Sequence, residues 1–324
     1  MNQTEQSLRA MRGSLLLGVV AAALFSVSFV LNRMMSAADG HWAWSASLRF
    51  LLMMPLLLVY LRVTGKWSQF CRLWKQSPGA WILWGGLGCG VFYATLTAAC
   101  ALSPAYVVAA TWPIAIVIGI LLSPWLYRDE RKRIPRQALI FSSVIVVGVV
   151  LLQAGEFRKG NINDVVAGII LVLISATAHP IGNRKSMDLC VSSGEKVDAV
   201  VRLCLMIAGS IPLLLVLCLW GGLQAGMPAA GQWSTLGIVA LTGLCATPLF
   251  YAATDRVNHH GPALAAVEAT QAMEILFTLL LEAWLLGIVM PDGVAIVGLC
   301  LIICGIILHA QPHRLIGKKI PPTP

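Results

Sequence analysis

The chain has 324 residues, of which 58% are hydrophobic and only 11% charged, with a formal net charge of +9. Soluble proteins carry about 25% charged residues, so this polar complement cannot clothe a water-facing globule, and the mean hydropathy of +0.81 agrees. A soluble enzyme, a nucleic-acid binder and a receptor ectodomain are excluded together, because no connection between apolar stretches is long enough to fold separately.

A helix crossing the hydrocarbon core needs about 20 apolar residues, and ten such stretches consume nearly the whole chain. They fall at 13–35, 43–63, 79–101, 104–127, 137–155, 164–184, 196–220, 232–254, 262–288 and 291–310. The first follows Arg9 and Arg12 as in a signal peptide. Its apolar run from Ser14 to Leu31 is longer than the roughly 7–15 residues of a cleaved leader, so it is read as a retained span. Between spans 2 and 3, Trp67, Phe70, Cys71 and Trp74 recur at i, i+3, i+4 and i+7, with Lys66, Arg72 and Lys75 on other faces. That pattern predicts a short helix lying in the membrane interface. Thr111-Trp112-Pro113 in span 4 and Thr247-Pro248 in span 8 remove backbone bonds at membrane depth, which is tolerated only where protein or water can satisfy them. Trp112 is placed either to stack on a planar or cationic substrate or to pack against lipid or a neighbouring helix.

Basic residues occupy alternate connections. The 2/3, 4/5 and 6/7 connections, Arg256 and the two tails hold nearly all of them, whereas the opposite side has only Arg33, Arg158 and Lys159, with Arg49 just inside span 2. This asymmetry predicts an inner (plasma) membrane protein with both termini cytoplasmic, and it accounts for the positive balance without a nucleic-acid partner. The nine cysteines are scattered with no C-x-x-C, the pattern of free structural thiols.

Sliding the chain on itself by 158 residues aligns Phe92-Tyr93-Ala94 with Phe250-Tyr251-Ala252 and Pro104-Ala105 with Pro262-Ala263. Asn32-Arg33 at the end of span 1 likewise matches Asn183-Arg184 at the end of span 6. The chain therefore divides into a cytoplasmic tail (1–12), a first five-helix repeat (13–155), a second (156–310) and a cytoplasmic tail (311–324). Five is odd, so the halves insert upside down relative to each other, an arrangement characteristic of secondary transporters. The expected fold is an all-α integral membrane protein with ten transmembrane helices as a 5+5 inverted-topology repeat.

The starts of spans 4 and 9 and the Arg-containing starts of spans 2 (Leu48-Arg49-Phe50) and 7 (Val201-Arg202-Leu203) resemble the drug/metabolite transporter superfamily of EamA type. The ninth span, Val267-Glu268-Ala269-Thr270-Gln271-Ala272-Met273-Glu274 with Glu282 beyond it, is similar to the branch of multidrug resistance efflux transporters. The resemblance covers residues 13 to 310. It implies a bundle around a central cavity that exports small organic molecules, often against protons, and no enzymatic activity.

An ionisable side chain at bilayer depth costs at least about 2.5 kcal/mol on insertion scales, so it needs a partner or a wet cavity. At 100° per residue, Glu268, Gln271, Glu274, Thr278 and Glu282 share a face about 120° wide, which is expected to look into the bundle. Glu268 and Glu274 are the expected substrate and proton ligands, the alternative being that they tie span 9 to its neighbours by interhelical hydrogen bonds, with Arg49 as a partner; Glu282, near the outer end, is expected to bond a neighbouring helix. Tyr93 and Tyr251 occupy equivalent places in the two halves, as packing residues or as cavity walls. Asn32 on span 1 and His179 on span 6 belong to a pair of polar stripes, and His179-Pro180 is either a kinked gate or a buried hydrogen bond. His259-His260 lacks further ligands at metal spacing, and no phosphate-binding loop or catalytic triad order appears. The expectation is a proton-coupled exporter of small amphipathic or cationic organic molecules, with lipid as its other partner and without cofactor or metal. The competing readings are an exporter or facilitator of an amino acid or other polar metabolite, and a non-transporting scaffold or membrane enzyme.

Overall fold

A computed structural model describes residues 3–126, 134, 136–159, 161–257, 266–267, 269–288 and 290–310. Every regular element among them is helical. We label them α1 (Gln3–Ala37), α2 (Trp42–Val63), α3 (Trp67–Gln76), α4 (Pro78–Leu102) and α5 (Ala105–Leu121). They continue as α6 (Arg136–Lys159), α7 (Ile162–Ser192), α8 (Ala199–Ala225), α9 (Ala230–Asp255), α10 (Ala269–Leu286) and α11 (Gly293–Ala310). Eight are long and apolar enough to cross a membrane, and α5 and the apolar part of α11 are shorter. The chain is thus a multi-pass membrane protein.

The short helix expected between the first spans is α3. Its Phe70 and Leu73 are buried, Arg62 lies 4.0 Å over the Trp67 ring, and the Trp81 indole donates to the Leu73 carbonyl at 3.0 Å. Arg72 meets Glu195 at 2.7 Å and Lys66 meets Asp198 at 2.8 Å, so α3 is tied to the α7–α8 connection. Hydrogen bonds from Arg72, and then Gln69, hold Glu195 below the usual carboxylate range. At the opposite end, Trp44 donates to the Gly226 carbonyl and Arg33 to that of Ala101, each at 3.0 Å. These two sets of contacts lie at opposite ends of α2 and α8.

Span 4 is not one continuous helix. Pro113 has no N–H, so the ladder stops at Trp112, whose N–H bonds Val108, and restarts with Ala115 bonded to Trp112 and Ile116 to Pro113. Thr111 next to the break accepts from Gln153 at 2.8 Å. By contrast Pro55, Pro180, Pro212 and Pro248 sit inside unbroken helices. Helix α4 carries a wider π turn at Gly86–Val91, which the sequence reading did not anticipate.

Helix α1 packs on α9 and α10, and α7 packs on α4 and α5. Helix α2 meets α8 and α9, α8 also meets α4, α5 meets α10, and α6 meets α11. Glycine makes the closest of these crossings possible. A Cβ on Gly148 would lie 2.7 Å from the Gly298 carbonyl oxygen, and a Cβ on Gly298 the same distance from that of Gly148. Small residues that let backbones touch are the usual means of joining helices where lipid supplies no hydrophobic drive. Gly148→Leu or Gly298→Leu should separate α6 from α11 and cost at least about 1–3 kcal/mol, the range for overpacking. An unchanged melting temperature in detergent would refute this crossing.

Candidate functional site

A cavity of about 470 Å³ is lined by residues of every labelled helix except α3. Its walls are largely aromatic, formed by Phe25, Phe29, Phe50, Phe92, Tyr93, Trp112, Phe250 and Tyr251. This volume falls within the range of small-molecule sites. The break at Pro113 turns the Trp112 indole toward this space, where it lies 5.0 Å from Phe92 and 5.4 Å from His179. His179 in turn lies 4.6 Å from Phe92. The imidazole Nδ1 has no hydrogen-bond partner among the described residues.

Tyr93 and Tyr251 both line the cavity. Each supports a guanidinium: Arg49 lies 4.2 Å over Tyr93, and Arg202 lies 4.0 Å over Tyr251. Asn32 donates to the Tyr93 hydroxyl at 2.9 Å, and the Tyr251 hydroxyl donates to the Met206 sulfur at 3.5 Å. Asn32, Gln271 and Glu274 complete the expected residues that the structure brings together here. Glu268 and the His259-His260 pair lie outside the described residues.

The polar stripe of span 9 divides between two tasks. Residues Ala269–Gln271 form a 3₁₀ turn before the α-helix begins at Ala272, so uniform 100° steps do not describe this face. Gln271 and Glu274 face the cavity. Glu282, fully buried, instead accepts from the backbone N–H groups of Ala105 and Tyr106, each at 2.8 Å. It caps the start of α5, where unpaired N–H groups and the positive helix end attract a carboxylate. Glu274 is only 3% exposed, and its carboxylate has no hydrogen bond or ion pair with the described residues.

Sequence reasoning missed most of the aromatic wall and the depth of Arg49. Phe92 was within reach, since Phe92-Tyr93 recurs as Phe250-Tyr251, whereas Phe25 and Phe50 carry no local signal. Among the described residues, several buried polar atoms of cavity-lining side chains have no protein partner: Asn32 Oδ1, Arg49 Nε, His179 Nδ1, Asn183 Oδ1 and Gln271 Nε2. Buried polar groups normally find one. Among the described residues, no group of three side chains could hold a metal ion.

The fold and the site thus define a multi-pass helical membrane protein built around an internal cavity of ligand size. Residues 11–314 match the EmrE family, described as "Putative multidrug resistance efflux transporter", and the chain belongs to that family. Its membership agrees with the superfamily resemblance carried by the repeat and the Arg-containing helix starts. The chain is 36% identical over 314 residues to the uncharacterized protein YjlA of Bacillus subtilis (strain 168), covering 93% of this chain and 96% of that one. It is 38% identical over 275 residues to an uncharacterized 42.1 kDa protein in the intracellular alkaline protease 3′ region of Shouchella clausii, covering 82% and 71%. A solved crystal structure matches with a TM-score of 0.59 at 17% identity, covering 91% of this chain and 95% of that one. That last likeness concerns the fold alone.

Proposed function

We propose that the protein is a secondary active transporter, a proton-coupled exporter of small amphipathic or cationic organic molecules. One observation carries the reading. A buried carboxylate, Glu274, faces an aromatic-walled cavity without a protein partner among the described residues. Proton and cation can each neutralise that charge, and an aromatic box suits an apolar or cationic body. The other ionisable groups lining the cavity are Arg49, His179, Arg184, Cys89 and the two phenols.

Alternating access requires two halves that exchange roles. We read α1, α2, α4, α5 and α6 (13–155) and α7 to α11 (156–310) as the two five-span repeats. The helix pairings support this, because exchanging the halves converts α1 on α9 and α10 into α7 on α4 and α5, and leaves α2 with α8, α5 with α10 and α6 with α11 unchanged. The distribution of basic residues supports cytoplasmic termini in the inner membrane.

The test is proton flux in proteoliposomes holding a pH-sensitive dye, challenged with organic cations, dyes and amino acids. At least one amphipathic solute should drive proton movement opposite to its own. Absence of solute-dependent proton flux across the whole set would favour a scaffold.

A further inference from the structure

The cavity holds a second charged group that cation export leaves without a task. Arg49 is 4% exposed and lines the cavity, resting on the Tyr93 ring. Among the described residues it makes no hydrogen bond or ion pair, and its Nε has no partner. Guanidinium carries five donors in a planar fork, and burying a charge without an acceptor is strongly unfavourable. Arg184, the other guanidinium at this cavity, donates to the Gly119 carbonyl. Arg49 and Glu274 share the cavity and act on each other electrostatically, without a hydrogen bond or a direct ion pair between them.

The other half of the chain shows which group is missing. The shift that carries Tyr93 onto Tyr251 carries Thr97 onto Asp255. Arg202 lies over Tyr251 as Arg49 lies over Tyr93, and it also pairs with Asp255 at 3.4 Å. In the first half the Thr97 hydroxyl is turned back onto the carbonyls of Tyr93 and Ala94, each at 3.0 Å. Arg49 therefore keeps its aromatic seat without the internal carboxylate. Gly243 leaves space for it, since a Cβ there would come within 2.7 Å of Arg49 Nε and Nη2.

We infer that Arg49 is the anion-binding residue of the cavity and that the substrate is a small amphipathic molecule bearing a carboxylate. Its carboxylate takes the position that Asp255 holds beside Arg202, with its apolar body against Phe50, Phe92 and Trp112. Where it also carries an amine, the ammonium group goes to Glu274. This inference rests on the cavity being the transport site, and it narrows the substrate from amphipathic or cationic molecules in general to amphipathic ones that bear a carboxylate, zwitterions included.

Three compounds that share a phenyl ring isolate the charges: 2-phenylethylamine, 3-phenylpropionate and phenylalanine. Binding is measured by calorimetry on the purified full chain in detergent, beside a thermal melt of each variant. The wild type should bind the two carboxylates at least tenfold more tightly than the amine. Arg49→Gln should lose at least tenfold for both carboxylates and leave the amine unchanged. Arg49→Lys should recover part of that loss, because an ammonium keeps the charge without the fork. Thr97→Asp supplies the carboxylate of the other half internally, so it should abolish carboxylate binding while keeping Arg49, and it serves even if Arg49→Gln does not fold. Arg202→Gln should leave all three affinities unchanged.

The inference is overturned if carboxylate affinity is equal in wild type, Arg49→Gln and Thr97→Asp, if only the amine binds, or if neither carboxylate binds the wild type. The export reading is judged separately by the liposome flux. Cation-driven proton movement that ignores Arg49→Gln would keep that reading and remove the anion site.

Discussion

Glu274→Gln should reduce proton-driven export to the level of empty liposomes while the protein still folds and inserts. Gln keeps the size and hydrogen bonding of the side chain but can neither release a proton nor neutralise a cation. In the antiport scheme the two ligands compete for one negative site, so bound cation expels the proton and proton expels the cation. A carboxylate buried at bilayer depth is costly while charged and unpaired, which disfavours the empty charged state and couples the two exchanges. The same logic fixes the stability outcome. Because the carboxylate makes no hydrogen bond among the described residues, its replacement by Gln removes none and relieves the cost of a buried charge against the loss of the attraction to Arg49, and the melting temperature should stay level or rise. Full coupling in Glu274→Gln, or a fall in melting temperature with export intact, would make Glu274 a packing residue.

The features that could be read from residues alone were those with a local signature. The interfacial helix showed in the spacing of Trp67, Phe70 and Trp74, and the break in α5 showed in Trp112-Pro113. The paired tyrosines showed because Phe-Tyr-Ala occurs twice in the chain. Arg49 showed as a charge just inside span 2 and a candidate partner for the acids of span 9, but its seat over Tyr93 did not, because the charge asymmetry of loops gives no azimuth. The aromatic wall was equally hidden, since a phenylalanine facing an apolar cavity and one facing lipid look alike in a sequence. The stripe on α10 was visible as a stripe, but its division was not. That division depends on the 3₁₀ turn before Ala272 and on where α5 begins in space.

Glu282 tests that division from the other side, with the opposite expected profile. Its two carboxylate oxygens each accept one N–H from the first turn of α5, at Ala105 and Tyr106. Pro104 precedes them and has no N–H of its own. Glu282→Ala leaves both donors unpaired, at about 1–3 kcal/mol for each unsatisfied group, so a loss of about 2–6 kcal/mol follows from the same principle. Glu282→Gln offers one oxygen to one N–H and turns an amide donor toward the other, and it should fall between wild type and Ala. Neither change touches the cavity, so the fraction that folds should still couple export to protons. Thermal melts and liposome flux on Glu274→Gln and Glu282→Gln together give a crossed result: coupling lost with stability kept for the first, stability lost with coupling kept for the second. A Glu282→Gln protein with wild-type stability and no coupling would move the proton site outward along α10 and dissolve the assignment of Glu282 to the α5 cap.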